Sequence, residues 1–307
     1  MHSRPTVVTK TFALACAALL CANAAVGART KNTRELERAV QKLVAESGAQ
    51  TVAVAFRDLQ TGRELLVNER VSFHAASTMK LPVMFEVFRE AREGTLRLDE
   101  SVPVRNEFES IADGSAFSVS PEDDSEQTLY KKVGGTETVR ELVRLMITES
   151  SNLATNVIIE RVSPARVMAL LQSMGARDMK VLRGVEDGKA FERGMNNTTT
   201  ARDLLTLLRA LAEERAVSRE ASREMTDILA AQKFNEGIPA GLPAGTRVAH
   251  KTGSITKIEH DAGVVYPPNR KPYVLVVLVR GIADEKRAHK LIADISRAVY
   301  GDVSASR

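Results

Sequence analysis

Apolar residues recur at helical spacing near the start of the chain and again through its middle. Leu36, Val40, Leu43 and Val44 fall on one face of a helix that the pattern predicts over residues 32–47. The same period predicts seven further helices, over residues 77–92, 136–147, 153–161, 163–175, 198–214, 218–232 and 283–300. The predicted helices are therefore concentrated in the middle of the chain and at its two ends.

Five shorter apolar runs have the composition of β-strands and lie in two groups. They cover residues 51–59, 63–69, 246–254, 260–267 and 271–281. The first two enclose the turn sequence QTGR, which predicts a hairpin. We expect all five to form one antiparallel sheet flanked by helices, with an all-helical lobe over about residues 95–235. This is an α+β fold with a cleft expected between sheet and lobe.

Two long connections carry little periodic pattern. Residues 101–135 are loop-like and include the acidic run SPEDDSEQ at 120–127, which we interpret as solvated and without a chemical role. Residues 180–197 form an irregular connection interrupted by glycines.

The first 28 residues have the pattern of a secretory signal peptide. Arg4 and Lys10 precede an apolar run that is too short to span a bilayer comfortably. Val26 and Ala28 supply the small residues of a cleavage site, which predicts cutting after Ala28. The alternative is an N-terminal membrane anchor. We expect a secreted or periplasmic protein without a stable membrane anchor, in which residues 29–307 form one domain.

Composition narrows the classes of function. The chain has 307 residues, a formal charge of +4 and no tryptophan, and both cysteines lie in the predicted signal. The mature domain is therefore expected to have no disulfide, and its length is sufficient for a stable core. No basic run is interleaved with aromatics, which argues against nucleic acid. The five histidines lack metal-ligand spacing, so we expect no metal site.

The sequence STMK at 77–80 places a serine and a lysine one helical turn apart. A serine hydroxyl is a poor nucleophile until a base takes its proton. Lys80 can be that base only if burial or a nearby positive charge lowers its pKa. Alternatively, Ser77 is an ordinary N-cap and Lys80 a surface lysine.

Two further motifs follow in order. They are SSN at 150–152, between two predicted helices, and KTGS at 251–254, at the end of a predicted strand. With the STMK motif they resemble the signature of class A β-lactamases and penicillin-binding proteins. The resemblance covers nearly all of the mature chain and implies the α+β fold expected above, with the active site in the cleft between sheet and lobe. It also implies a single catalytic domain over residues 29–307, no cofactor, and a monomer that acts on a small molecule, either a β-lactam or a peptidoglycan-like substrate.

The resemblance implies a set of catalytic residues. Ser77 would form the acyl-enzyme, Lys80 would activate it, and Ser150 would relay a proton to the leaving nitrogen. Glu186, three residues after Arg183, is the candidate base for deacylation.

The resemblance also implies a set of binding residues. Asn152 would bind the substrate's side-chain amide, and Lys251 and Thr252 its carboxylate. The backbone N–H groups of Ser77 and Ser254 would form an oxyanion hole. Gly253 would keep the strand edge clear for the substrate.

The chain departs from the family pattern at two places. Ser151 stands where class A enzymes usually carry aspartate, which puts the local structure of that loop in doubt. The Leu-Asn pair expected after the deacylating glutamate is also missing, and one of two asparagines, Asn196 or Asn197, is a candidate replacement. Asp187 and Glu192 are the other acids that could serve as base.

These motifs predict a serine β-lactamase that acts through an acyl-enzyme on Ser77. The first alternative is a D,D-peptidase or esterase on the same scaffold, acting on peptidoglycan-like peptides or another ester or amide. The second is a penicillin-binding sensor that becomes acylated without turnover. Repeated hydrolysis of a β-lactam distinguishes the lactamase from both.

Overall fold

The computed structural model describes residues 34–305, in which helices form most of the middle of the chain. The helices are α1 (34–46), α2 (Lys80–Glu93), α3 (Val139–Thr148), α4 (Asn152–Val162), α5 (Pro164–Met174), α6 (Gly188–Glu192), α7 (Ala201–Ala212), α8 (Arg219–Ala230) and α9 (Glu285–Ala305). The eight helices predicted from periodicity are confirmed, and α6 is an additional short one. The predicted signal peptide lies outside the described residues.

The main sheet is antiparallel and has five strands, as predicted. They are β1 (Thr51–Asp58), β2 (Glu64–Val67), β3 (Arg247–Ile255), β4 (Ile258–Tyr266) and β5 (Tyr273–Arg280). Their order across the sheet is β2-β1-β5-β4-β3, so strands from both chain ends meet at the β1–β5 pair. This order leaves β3 at an edge of the sheet.

Two apolar cores cover the two faces of the sheet. Alternate side chains of β1 point in opposite directions, so Val54 and Phe56 join one core while Ala53 and Ala55 join the other. The first core is closed by α1 and α9, where Val40 is fully buried. The second continues into the helical lobe. The small alanines on that side let the helices pack close to the sheet.

Helix α2 lies in the second core, against α3, α4 and α5. It ends at Gly94, whose φ of 76° is the left-handed conformation that glycine adopts at helix ends. The chain enters it through a 3-10 turn, Ala76–Met79, rather than directly. This turn sets the position of Ser77 relative to the sheet.

The connection 101–135 has no long element, as expected, but the prediction that its acidic run is solvated is wrong at two positions. Asp124 and Glu126 are only 4% and 7% exposed. Each is buried because it accepts hydrogen bonds from backbone N–H groups, which compensates its loss of water. Within residues 34–305, no helix is long and apolar enough to cross a membrane.

Candidate active site

Ser77 lies in the 3-10 turn, which packs against the end of the edge strand β3. Gly253 permits this contact, because a Cβ there would lie 3.0 Å from the backbone nitrogens of Ser77 and Thr78. Gly253 therefore leaves room for the backbone of the 3-10 turn, whereas the sequence predicted that it leaves room for the substrate. Ala76 has a φ of 45°, a strained conformation of the kind found at functional sites. Neither this turn nor α2 has a side-chain cap, so Ser77 is not an N-cap.

Two buried lysines contact one serine hydroxyl at the centre of the site. Lys80, one turn after Ser77, donates to the Ser150 carbonyl oxygen at 2.6 Å and lies 3.3 Å from Ser150 Oγ. Lys251, from β3, donates to the same Oγ at 3.0 Å. Both lysines are 0% exposed, so Lys80 is not a surface residue. The three sequence motifs therefore converge in space.

Burial lowers the pKa of both lysines, because an ammonium group loses its hydration in the interior. The pKa of Lys80 falls to about 7, and the carboxylates of Asp124 and Glu186 limit the fall. The pKa of Lys251 lies well below its usual value, through burial and then through the charge of Lys80. A lysine with a pKa near 7 is partly neutral at physiological pH and can accept a proton.

The Ser-Ser-Asn turn joins α3 to α4 in a strained conformation, with a φ of 57° at Ser150. Ser151 caps α4, because its Oγ accepts a hydrogen bond from the N–H of Ala154 at 3.2 Å. A carboxylate is present here although the sequence position lacks one. Asp124 accepts hydrogen bonds from Ser151 Oγ at 3.2 Å and from the N–H of Asn152 at 2.9 Å.

The loop over residues 182–197 is closed at its neck by Asn197. Its Oδ1 accepts from the N–H groups of Leu182 and Arg183, at 2.8 and 3.2 Å. Its Nδ2 donates to the Arg183 carbonyl at 3.0 Å. The Arg183 guanidinium in turn donates to the carbonyl of Met195 at 3.0 Å, which holds the interior of the loop together.

Glu186 is fixed by the residues on either side of it. Val185 makes two backbone hydrogen bonds with the Asn156 amide on α4, at 2.7 and 3.0 Å. Asp187 accepts a hydrogen bond from Ser110 Oγ at 2.7 Å, from across the helical lobe. Held from both sides, Glu186 adopts a φ of 63°. Such a conformation persists only where the surroundings determine it strongly.

Asn152 connects Glu186 to Lys80. Its Nδ2 donates to Glu186 Oε1 at 3.1 Å, while its Oδ1 accepts from Lys80 Nζ at 2.9 Å. Burial raises the pKa of Glu186, and the charge of Asp123 adds to this, whereas Lys80 acts in the opposite direction. Glu186 therefore shares one polar network with the candidate nucleophile's base.

The other acids and amides of the loop have structural positions. Asp187 caps α6, and its hydrogen bonds outweigh burial and lower its pKa. Glu192 is exposed. Asn197 closes the neck, and Asn196 Oδ1 accepts from the loop's own arginine at 3.3 Å. The amide beside Glu186 is thus that of Asn152, rather than one of the two asparagines considered from the sequence.

The KTGS segment forms the end of edge strand β3 as predicted, with Thr252 half-buried there. Ser254 Oγ donates to Glu259 Oε1 on β4 at 2.5 Å. Burial raises the pKa of Glu259, which also lies 3.2 Å from His289. The Ser254 side chain is therefore directed at Glu259, and an oxyanion-binding role would use its backbone N–H.

These residues surround one cavity of about 390 Å³. Its lining includes Ser77, Asn152, Glu186 and Ser254 from the sequence prediction. Further lining residues that the sequence did not single out are Val185, Phe191, Ile255 and Thr256. Lys80, Ser150, Lys251 and Thr252 are not among the lining residues. The arrangement places a hydroxyl nucleophile, a lysine of low pKa and a carboxylate around a space that a small molecule can enter.

In the described part of the chain, no cluster of three or more His, Cys, Asp or Glu side chains could hold a metal ion. His74 lines the cavity and accepts a hydrogen bond from the N–H of Ala76 at 3.1 Å. His250 is buried with its Nδ1 at 2.8 Å from Asp261 Oδ1. Of the two histidines near the motifs, His74 thus borders the cavity.

Comparison with known proteins gives a consistent set of relatives. A model of the beta-lactamase enzyme family matches residues 35–303. A β-lactamase of Streptomyces albus G is 29% identical over 97% of this chain and 96% of that protein. The extended-spectrum beta-lactamase PER-1 of Pseudomonas aeruginosa is 25% identical over 81% of this chain and 82% of its own length.

Solved structures show the same relationship. PBP-A is 31% identical with a TM-score of 0.76, covering 88% of this chain and 96% of that chain. An ancestral (GNCA) class A β-lactamase is 29% identical with a TM-score of 0.75, covering 87% of this chain and 99% of that chain. The α+β architecture is therefore shared with the solved structures of PBP-A and of a class A β-lactamase.

Proposed function

Because the chain belongs to the beta-lactamase enzyme family, we propose that it hydrolyses β-lactams through an ester formed on Ser77. It is an enzyme of the serine β-lactamase type. The observation that carries the proposal is the convergence of Lys80 and Lys251 on Ser150 Oγ, next to a cavity lined by Ser77 and Glu186.

Acylation begins when neutral Lys80 takes the proton of Ser77 Oγ. The oxygen attacks the lactam carbonyl carbon, and the C–N bond of the ring breaks as the ester forms. The released nitrogen takes a proton from Ser150 Oγ, and the protonated Lys80, 3.3 Å from that oxygen, replaces it. The proton removed from the nucleophile thus returns to the leaving group.

The charge that develops on the attacked carbonyl oxygen requires donors. We assign this role to the backbone N–H groups of Ser77 and Ser254. The close contact of Gly253 with the turn supports the assignment, since it brings β3 next to the Ser77 backbone. The Ser254 hydroxyl, held by Glu259, fixes the end of the strand.

Lys251 and Thr252 are assigned to the substrate carboxylate. The lowered pKa of Lys251 reflects burial beside Lys80, and a bound carboxylate would favour its charged form again. A charged Lys251 would then lower the pKa of Lys80 further and increase the fraction that can act as base. Substrate binding and activation of Ser77 are coupled in this way.

Deacylation is assigned to Glu186, which would deprotonate a water that attacks the ester. Asn152, which holds Glu186 Oε1, also lines the cavity and is assigned to the substrate's side-chain amide. Attack by hydroxide breaks the ester, and the proton held by Glu186 passes to the departing Ser77 oxygen, which restores free Ser77 and releases the opened β-lactam.

One specific observation favours the alternative of slow or absent turnover. The Leu-Asn partner of the deacylating glutamate is missing, and the loop asparagines Asn196 and Asn197 bind the loop itself. The solved relatives also include a variant of PBP-A as an acyl-enzyme complex with penicillin G, 30% identical to this chain. A D,D-peptidase, esterase or penicillin-binding function on peptidoglycan-like substrates is therefore the second candidate.

The cellular location is proposed from the predicted signal peptide. Export by the predicted signal peptide would place the enzyme in the periplasm or outside the cell, where β-lactams and peptidoglycan occur.

Nitrocefin hydrolysis by purified protein tests the proposed function, with Ser77→Ala as control. The proposal expects many equivalents hydrolysed per enzyme and none by the variant. A single equivalent, followed by a stable adduct on Ser77, would support the second candidate instead. Equal turnover by Ser77→Ala would remove Ser77 from the mechanism.

A further inference from the structure

The Ser-Ser-Asn turn is held by a carboxylate from a distant part of the sequence. Four donors converge on Asp124 Oδ2: the N–H groups of Asn152 and Leu153, each at 2.9 Å, Tyr130 Oη at 3.0 Å and Ser151 Oγ at 3.2 Å. Asp124 is only 4% exposed. A buried carboxylate with this many donors is a strong and well-defined anchor.

Part of this arrangement is ordinary helix capping. Helix α4 begins at Asn152, and its first N–H groups have no partner within the helix. Ser151 satisfies the N–H of Ala154, and Asp124 satisfies those of the first two residues. A negative charge at this end of a helix is also favourable. Capping alone would stabilise the fold and leave catalysis untouched.

A second observation connects Asp124 with the catalytic centre. Ser150, two residues before the first bound N–H, has a φ of 57° and offers its carbonyl and its hydroxyl to Lys80. A strained residue keeps such a conformation only when its neighbours are fixed. The carboxylate of Asp124 also acts on Lys80 through space and raises its pKa, against the effect of burial.

We propose that Asp124 is a positioning residue for catalysis, which fixes Ser150 and Asn152 against Lys80. Its carboxylate takes the place of the one that position 151 lacks. Ser151 links Asp124 to α4, because its hydroxyl donates a hydrogen bond to the Asp124 carboxylate and accepts one from the N–H of Ala154. The turn can therefore keep its catalytic shape with serine in its middle position. The assay of this proposal rests on the proposed acylation of Ser77.

The variants that test it are Asp124→Ala, Asp124→Asn and the double change Asp124→Ala with Ser151→Asp. Aspartate at position 151 is a good N-cap and would return a carboxylate to the turn from within the motif. Glu122→Gln is the matched control, since Glu122 is an exposed carboxylate of the same segment that makes hydrogen bonds with Ser120. Each variant is compared by thermal unfolding and by the rate at which fluorescent penicillin labels Ser77.

Asp124→Ala should slow acylation by on the order of tenfold to a hundredfold, because small displacements of catalytic groups have effects of this size. The double variant should recover at least about tenfold of that loss, and Glu122→Gln should acylate normally. If the alanine variant does not fold, Asp124→Asn, which keeps the shape of the side chain, carries the test through its pH dependence.

The pH dependence separates positioning from simple capping. Lys80 faces Asp124, Glu186 on the loop and Lys251 on β3, and it acts as base only when neutral. Removing the charge of Asp124 lowers the pKa of Lys80, so the acid limb of acylation in Asp124→Asn should move to lower pH. A helix cap whose charge did not reach Lys80 would leave that limb in place.

Wild-type acylation rates in the folded Asp124 variants, or a reduced rate with an unchanged acid limb and no recovery in the double variant, would overturn the proposal. Failure of the wild-type protein to label at all would instead contradict the proposed function. The two failures are therefore distinguishable within one experiment.

Discussion

Replacing Glu186 with glutamine separates the two chemical steps of the proposed reaction. Glutamine keeps the size of the side chain and an oxygen that can accept the Asn152 Nδ2 hydrogen bond, which is 3.1 Å long in the native protein. It cannot take a proton from water. Because Val185 and Asp187 hold the loop on either side, the backbone at this position should not change.

The two steps should respond in opposite ways. Loss of a general base slows the step that uses it by roughly a hundredfold to ten thousandfold, which corresponds to about 3–5 kcal/mol of barrier. Deacylation should slow by this factor. Acylation should not slow, because the negative charge of Glu186 raises the pKa of Lys80. Loss of that charge lowers this pKa and leaves Lys80 neutral over a wider pH range. The acid limb of acylation should therefore move to lower pH.

Intact mass spectrometry over minutes after mixing with benzylpenicillin measures both steps. The variant should accumulate an adduct on Ser77 that the wild-type protein clears. Glu192→Gln is the control, since Glu192 is an exposed carboxylate of the same loop, and it should behave as wild type. Wild-type clearance by Glu186→Gln would exclude Glu186 as the base, and slow acylation would contradict the division of roles.

Three further predictions follow from other parts of the molecule. Lys80→Met should be inactive yet more stable, because the pKa of Lys80 is lowered to about 7 and the cost of burying its charge is therefore complete below pH 7 and vanishes towards pH 10.5. The gain in the free energy of unfolding should be up to about 5 kcal/mol at pH 6 and should shrink as pH rises. Chemical unfolding that shows a constant or growing gain would refute this. Gly184→Ala should slow deacylation and destabilise the protein by about 1–3 kcal/mol, because its Cβ would lie 2.2 Å from Asn156 Oδ1. The control is Gly188→Ala, whose Cβ would have nothing within 4 Å, and it should be neutral in turnover and in thermal unfolding. Exported protein should begin at or near Arg29 by intact mass, and a retained first methionine would contradict the predicted signal peptide.

The fold and the three-motif centre could be predicted because both leave local signals. Helical and strand periodicities are imposed by burial on one face, and the structure reproduces them to within a few residues. The Ser77–Lys80 spacing similarly fixes two side chains on consecutive turns. These parts depend on residues that are near each other in sequence or belong to a known set of motifs.

Asp124 and Asn156 could not be found in the same way. Asp124 stands in a run of acids in which nothing distinguishes it from its neighbour Asp123, and its role depends on a turn 26 to 29 residues later. Asn156 lies within a helix, and its partner Val185 is 29 residues away. Only three-dimensional contacts identify such residues. Ser151 marks the turn as unusual in the sequence, but it does not indicate which residue supplies the carboxylate.

The most direct measurement of the central claim is a time course of wild-type protein with excess benzylpenicillin, followed by intact mass and by peptide mapping. The proposed mechanism predicts an adduct on Ser77 alone, which forms and then disappears while product accumulates in many-fold excess over enzyme. An adduct on another residue, or product without any dependence on Ser77, would contradict the mechanism. An adduct on Ser77 that never clears would contradict β-lactam turnover and leave acylation as the whole reaction.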